Sequence, residues 1–346
     1  FGYEIMFESA RFWASRVSKN RQGQYEIRDV IGPDEFHEKY PGANRGGMKN
    51  NAYTNVMAVW VIEKALHILD EMISDEDRMA LLLKAEISDE EITRWRDIIC
   101  KMTVVTDKSG LIHQFEGYMD LEELHWDEYR RKYDNIHRID RILKSEGLSP
   151  DMYRVAKQAD VLMLFYVLNQ DELKTIFKRL GYTYNKLMMK KNFEFYFPRT
   201  SHGSTLSMIV HAYVAGLLGH REEEMKFFIE TLRSDIYDTQ GGTTQEGIHS
   251  GVMGGTLDFF LRSFAGLKVF EDRISLDPKM PEQWKSIKFH VRYKNVWFDV
   301  RLSHNKVRLL AKPVQEASLV ADAHIPIEIR KKIHKLRPKK LHEIAL

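Results

Sequence analysis

Cysteine is almost absent from this chain. A single residue, Cys100, in 346 rules out an internal disulfide framework and fits a reducing compartment. Long hydrophobic runs are missing too. No apolar stretch reaches the roughly 18 residues that a membrane-spanning helix needs. The longest, DVLMLFYVLNQ from Asp160, has the pattern of a short buried helix. Together these features predict a cytoplasmic protein with no membrane partner. Charge of one sign is not in excess. The 52 basic and 50 acidic residues leave a net charge of +2, which gives no reason to expect a nucleic-acid partner. The first residues, FGYEIMFESARFWASRV, carry neither an initiator methionine nor a signal-peptide layout. Ile5, Ser9, Phe12 and Arg16 share one helical face there. The chain is therefore expected to begin inside or just before a helix, as a fragment whose N-terminal portion is missing.

What is present is ordinary globular material, 43% hydrophobic and 29% charged. The length suits about two domains, or one large domain with an appendage. Helix signals fill residues 1–267. Val56, Met57, Trp60, Ala65, Leu66 and Leu69 follow amphipathic spacing. Ser88 and Glu91 form a capping box, and Asn169 and Glu172 repeat it before a stop at Gly181. Ser149 and Pro150 are expected to start a helix that runs on through the apolar stretch. Further helices are expected near 205–218, 222–233 and 251–265, and no short repeat is evident. After about residue 268 the period changes to two. SIKFHVRY and VWFDVRL alternate around a KN turn, and SHN precedes KVRLLAK. These predict a small antiparallel β domain over 268–312. Residues 313–346 are expected to form a basic tail, with 328–344 a solvated terminal helix or, on the other reading, a binding tail.

Four stretches could carry chemistry. In VIGPDEFHE, Gly32-Pro33-Asp34 is a turn signal, so Glu35 sits on a loop or at a helix start. It is either a helix cap or a general acid, with Asp34 and Glu38 as possible like charges beside it. HEKYP is not HExxH, so a zinc site at His37 is not expected. RTSHGSTLS, from Arg199, packs hydroxyls and a glycine before an apolar helix. Such a helix start suits an anion, though an ordinary Ser/Thr cap looks the same. DTQGGTTQEGIHSGVMGGT, from Asp238, is glycine-rich enough for close backbone approach to a ligand. It lacks the nucleotide P-loop pattern. His249 there could meet a phosphate oxygen or a sugar hydroxyl, and Glu246 could serve as a base. In VAKQADVLML, Lys157, Gln158 and Asp160 sit in an otherwise apolar stretch. The pair Lys157-Gln158 either points into a polar cavity or flanks a helix edge.

Each signal alone is weak, but their order is specific. ARFWASR, VIGPDEFHE, NNAYTNVMA, KQADV, TSHGSTLS and TTQEGIHSGVMGG occur in the order and rough spacing of glycoside hydrolase family 65, and the chain resembles that family over about residues 3–300. The family includes maltose, kojibiose, nigerose and trehalose phosphorylases. The resemblance implies a mainly α fold, an (α/α)6 barrel over 1–267 followed by the small antiparallel β domain. It implies inverting phosphorolysis of an α-glucosidic disaccharide to β-glucose 1-phosphate and a released sugar. On the family pattern Glu35 is the general acid. Lys157 and Gln158 hold the glucosyl unit, and Ser204, Thr205 and His249 bind phosphate. No metal and no cofactor are implied, only inorganic phosphate as co-substrate. By analogy the assembly is a homodimer. The family's N-terminal β-sandwich and early barrel helices have no counterpart here, so the barrel is expected to be N-terminally incomplete. Phosphate is already an anionic nucleophile, so a site that positions it can replace the base of a hydrolase. The alternatives are an inverting hydrolase of the same fold, with Glu246 as base, and a non-catalytic carbohydrate-binding remnant.

Overall fold

The protein is described by a computed structural model over residues 2–71, 74–239, 245, 247–270, 272–314 and 324–346. It divides into two compact units, Phe1–His249 and Ser250–Leu346. The first unit is helical. Helix α1 (Gly2–Arg16) leads into a small ribbon of β1 (Val17–Lys19) and β2 (Tyr25–Ile27). A loop then crosses residues 28–51. After it come α2 (Ala52–Asp70), α3 (Asp75–Lys84), α4 (Asp89–Lys101), α5 (Trp126–Lys132), α6 (Ile139–Ser145), α7 (Asp160–Val167), α8 (Gln170–Arg179), α9 (Lys186–Tyr196), α10 (Thr205–Leu218) and α11 (Arg221–Arg233).

Helix α2 is the hub. It is apolar on several faces and packs on α1, α4, α7 and α8. The capping boxes at Ser88 and Asn169 both form, and each satisfies otherwise orphaned amides at a helix start. Helices α10 and α11 make an antiparallel hairpin that turns at Gly219, whose φ is +92°. Gly216 lies against Glu224, and the His211 ring packs on Phe227. That register brings the start of α10 and the end of α11 to the same end of the hairpin.

The helix expected from Ser149 does not run through. Only a single 3-10 turn forms, at Pro150–Met152, and α7 begins at Asp160. The backbone between is drawn into other bonds. The Ala156 amide donates to the Arg199 carbonyl, and the Ser201 amide donates to the Ala156 carbonyl. The Lys157 and Gln158 amides are taken by a side chain, Asp34. A helix cannot keep amides that a buried carboxylate has captured.

The second unit begins with α12 (Ser250–Phe259) and a π-helical turn at Phe260–Phe264. Among the described residues eight strands follow: β3 (Leu267–Val269), β4 (Ile274–Leu276), β5 (Ile287–Tyr293), β6 (Val296–Leu302), β7 (Lys306–Pro313), β8 (Ile325–Ile329), β9 (Lys332–Leu336) and β10 (Leu341–Ala345). One sheet runs β10-β7-β6-β5 and is antiparallel. The other runs β3-β4-β8-β9, with β4 and β8 parallel. The KN and SHN turns join β5 to β6 and β6 to β7 as expected. Phe298, Val300 and Leu302 on β6 alternate inward, as do Val307, Leu309 and Ala311 on β7.

Residues 328–344 are strand, not helix. Ile325, Ile327, Ile329 and Leu336 are buried at period two. Arg330 and Lys331 both take positive φ, which makes the two-residue turn between β8 and β9. The turn lacks the usual Asn-Gly, so a basic run concealed a hairpin. The basic tail is thus part of both sheets.

Gly266 precedes β3 with φ +64°, and a Cβ there would lie 2.0 Å from the Asp277 carbonyl oxygen. Gly266→Ala is expected to lose about 2 kcal/mol or more through backbone strain and overlap. Denaturant unfolding measures this, and an unchanged midpoint would count against it.

Candidate active site

Glu35 lies in the 28–51 loop with no helix behind it, which removes the helix-cap reading. Its φ is +66°, a left-handed value that a non-glycine residue adopts only when its surroundings impose it. The imposing contacts lie on both sides. Gly32, at φ +79°, packs so closely that a Cβ would sit 2.5 Å from Asn51 Nδ2 and 2.6 Å from Asp160 Oδ2. Phe36 is buried with Leu124, Trp126, Ile139, Leu143 and Val155. Between these anchors the Glu35 side chain is left 63% exposed.

Asp34 points the other way and is fully buried. Its Oδ1 accepts from the Lys157 amide at 2.6 Å and the Gln158 amide at 3.2 Å. Its Oδ2 accepts from Gln114 Nε2 at 3.0 Å and lies 3.2 Å from His37 Nδ1. The other ring nitrogen of His37 meets the Tyr153 carbonyl at 2.9 Å. Asp34 is therefore a scaffold carboxylate, not the like charge expected beside Glu35. Glu38 is exposed and bonds through its amide to Asp151.

The result is that Glu35 and Lys157, 122 residues apart, meet: Lys157 Nζ donates to Glu35 Oε2 at 2.6 Å. Gln158 Nε2 donates to the Pro33 carbonyl at 2.6 Å. The buried Gln158 Oε1 and Ser201 Oγ have no partner among the described residues. The Ser/Thr loop joins the same place. A Cβ on Gly203 would lie 2.6 Å from the His137 carbonyl and 3.3 Å from Lys157 Cγ, so only glycine lets the loop lie on Lys157. Ser204 then caps α10 by accepting from the Leu206 amide at 3.3 Å, and Thr205 is buried at the first helical position. Both the cap reading and the anion reading of this stretch survive, because the cap uses the Ser204 hydroxyl as an acceptor and leaves its hydrogen to donate.

Two histidines back this loop. His202, itself at φ +56°, has Nδ1 3.0 Å from Ser207 Oγ, and its ring centroid lies 4.6 Å from that of His211. His211 donates through Nδ1 to the Ser207 carbonyl at 2.8 Å. Burial pushes His211 down to about 4 and holds His202 well below the ordinary imidazole range. Both rings are neutral near pH 7.

His249 is placed by Asp235, just beyond α11. Its amide donates to Asp235 Oδ2 at 2.9 Å, and its Nδ1 lies 2.5 Å from Oδ1. The hairpin register sets this pair at the same end as Ser204 and Thr205. Glu246 lies outside the described residues. Among the described residues no group of His, Cys, Asp and Glu converges as a metal site. No described helix is long and apolar enough to cross a membrane. Sequence reasoning missed Asn51, His137 and Asp235 as supports. Asp235 carried a signal, an acid near the end of a helix that leads into the glycine-rich stretch.

Comparison with known proteins gives the family. The model of the glycosyl hydrolase family 65 central catalytic domain covers residues 1–258, and that of the family 65 C-terminal domain covers 267–322. The chain belongs to glycosyl hydrolase family 65. A glycosyl hydrolase of Mycobacterium tuberculosis whose activity is uncharacterized is 44% identical, over 97% of this chain and 25% of its own length. A trehalose 6-phosphate phosphorylase of Lactococcus lactis is 37% identical, over 90% of this chain and 39% of its own. A kojibiose phosphorylase of Halothermothrix orenii is 32% identical, over 89% and 36%. The chain thus spans about a quarter to two fifths of these relatives. A solved structure described as a candidate kojibiose phosphorylase from the human microbiome superposes with a TM-score of 0.76 at 23% identity. It covers all of this chain and 46% of its own. The expected family 65 architecture, barrel helices followed by a β domain, stands.

The Gly32 contact is the tightest in the site. Gly32→Ala is expected to cost about 2–3 kcal/mol, from the left-handed backbone and a disrupted Asn51–Asp160 bond. Thermal unfolding tests this. A stability equal to the parent's would show that the turn is not held as described.

Proposed function

We propose that the protein catalyses inverting phosphorolysis of an α-glucoside, yielding β-glucose 1-phosphate and a released sugar. The observation that carries this reading is the convergence of Glu35, Lys157 and the Gly203–Thr205 loop on one place. An acid, a hydroxyl-binding cation and an anion-binding helix start are brought together from three distant segments.

In the proposed reaction a phosphate oxygen forms a bond to the anomeric carbon as the glycosidic C–O bond breaks on the opposite face. The Glu35 proton goes to the leaving oxygen, and Glu35 ends as a carboxylate. Oε1 of Glu35 has no partner among the described residues, so it is the oxygen available for that proton. Lys157 has three N–H donors. One holds Glu35 Oε2 and the others can take glucosyl hydroxyls, with Gln158 Oε1 beside them as an acceptor. Phosphate needs placement more than deprotonation. Ser204, Thr205 and the α10 amides supply neutral donors. His249, held through Nδ1 by Asp235, presents Nε2 as a further donor when charged. We infer no cofactor beyond phosphate, and a cytoplasmic site of action, in keeping with a single cysteine.

The relatives' printed substrates set the panel to test: trehalose 6-phosphate, kojibiose, 1,2-α-glucosylglycerol and α,α-trehalose, with maltose and nigerose added. With the full-length protein, turnover of one of these should require phosphate and yield glucose 1-phosphate. Glu35→Gln should then lose about 10²- to 10⁴-fold in rate with little change in melting temperature. Glucose release indifferent to phosphate would instead establish a hydrolase, and no turnover of any sugar would leave the remnant reading.

His249→Ala should raise KM for phosphate about tenfold or more, the worth of one charge-assisted hydrogen bond, and leave KM for the sugar nearly unchanged. Equal rises in both would remove His249 from the phosphate site.

A further inference from the structure

Asp160, the first residue of α7, is fully buried and plays no part in the reaction outlined above. Its Oδ2 accepts from Asn51 Nδ2 at 2.8 Å. Its Oδ1 has no partner among the described residues. Asn51 is fixed in turn, because its Oδ1 accepts from the Thr54 amide and hydroxyl, both at 2.9 Å. Gly32 lies directly on this Asn51–Asp160 pair.

We propose that Asp160 is a positioning residue: through Asn51 and Gly32 it sets where the turn presents Glu35. This rests on the reading of Glu35 as the acid. The chemistry of the pocket suits a neutral carboxylic acid. A bare, ionised Oδ1 in a dry site is costly, whereas a protonated one is not. Titratable groups whose charge acts on Asp160 include Asp34 and Glu35 on the turn, Tyr53 on α2 and Tyr196 on α9; Lys157 lies on Glu35 and His37 on Asp34. Burial first, then the charge of Asp34, holds the Asp160 carboxyl well above the ordinary aspartate range.

The sign of the pH effect follows. Above about pH 4 the unfolded chain releases this proton while the native state keeps it, so native stability falls as pH rises toward the raised value. Asp160→Asn retains the acceptor oxygen and removes that slope.

The test uses the full-length protein and two variants. Asp160→Asn should melt increasingly above the parent as pH rises from about pH 4 and keep kcat within about threefold. Asp160→Ala should lose about 10²-fold in kcat through misplacement of the acid, with KM for phosphate and sugar each changed less than about threefold. Its 28–37 segment should exchange amide hydrogens faster than in the parent or Asp160→Asn. Identical pH dependence of melting in parent and Asp160→Asn would overturn the neutral acid. Unchanged kcat, or unchanged exchange over 28–37, in Asp160→Ala would overturn the positioning role. Absence of phosphate-dependent turnover in the parent would defeat the proposed function alone. The melting and exchange measurements would still decide on Asp160.

Discussion

One buried carboxylate organises the first unit. Asp34 takes two backbone amides from Lys157 and Gln158, a side-chain amide from Gln114 and a contact from His37. A carboxylate surrounded by donors in a low-dielectric setting is a strong and directional anchor, and removing any one donor leaves an uncompensated acceptor. Everything at the site is arranged by it. It prevents residues 153–159 from becoming helix, lays Lys157 beside the turn and so delivers the ammonium to Glu35. The parallel bridge between Ala156 and Thr200 then brings the Ser/Thr loop to the same place. Asp34 is thus the buried tether between the turn and residues 157–158, beside the Lys157–Glu35 and Gln158–Pro33 bonds.

Much of this organisation was legible in the sequence. Capping boxes at Ser88 and Asn169, the hairpin turns of the β domain and the Gly-Pro turn before Glu35 are local devices, and local devices can be read locally. The failures share one cause. The helix expected from Ser149 is undone by Asp34, which lies more than a hundred residues away, and no local pattern announces such a competitor. The strands at 325–345 were masked by lysine and arginine on their exposed faces. Their inward face, Ile325, Ile327, Ile329 and Leu336, carries the period-two signal.

The site was legible as residue types and as a family pattern, but not as geometry. The sequence suggested Asp34 as a charge next to Glu35. The structure makes it the scaffold and turns it away. Likewise the sequence shows Gly203 only as a glycine before an apolar helix, whereas its lack of a side chain is what allows contact with Lys157 and the His137 carbonyl. Its φ is not left-handed, so the demand for glycine there is steric and not conformational.

Three carboxyl groups within one small region show how environment divides labour. Asp34 is surrounded by donors and serves as a fixed anchor. Asp160, equally buried, has one side-chain donor and one bare oxygen, and is suited to be neutral. Glu35 is the exposed member, held at one oxygen by Lys157 and open at the other. On the proposed reading the donor must reach the bound sugar, and of the three only Glu35 has its side chain outside the packed interior. The two buried acids therefore cannot replace Glu35 as donor, however close they lie. The role proposed for Glu35 depends on Asp34 being held by the 157–158 backbone and Asp160 by Asn51, both turned away from it.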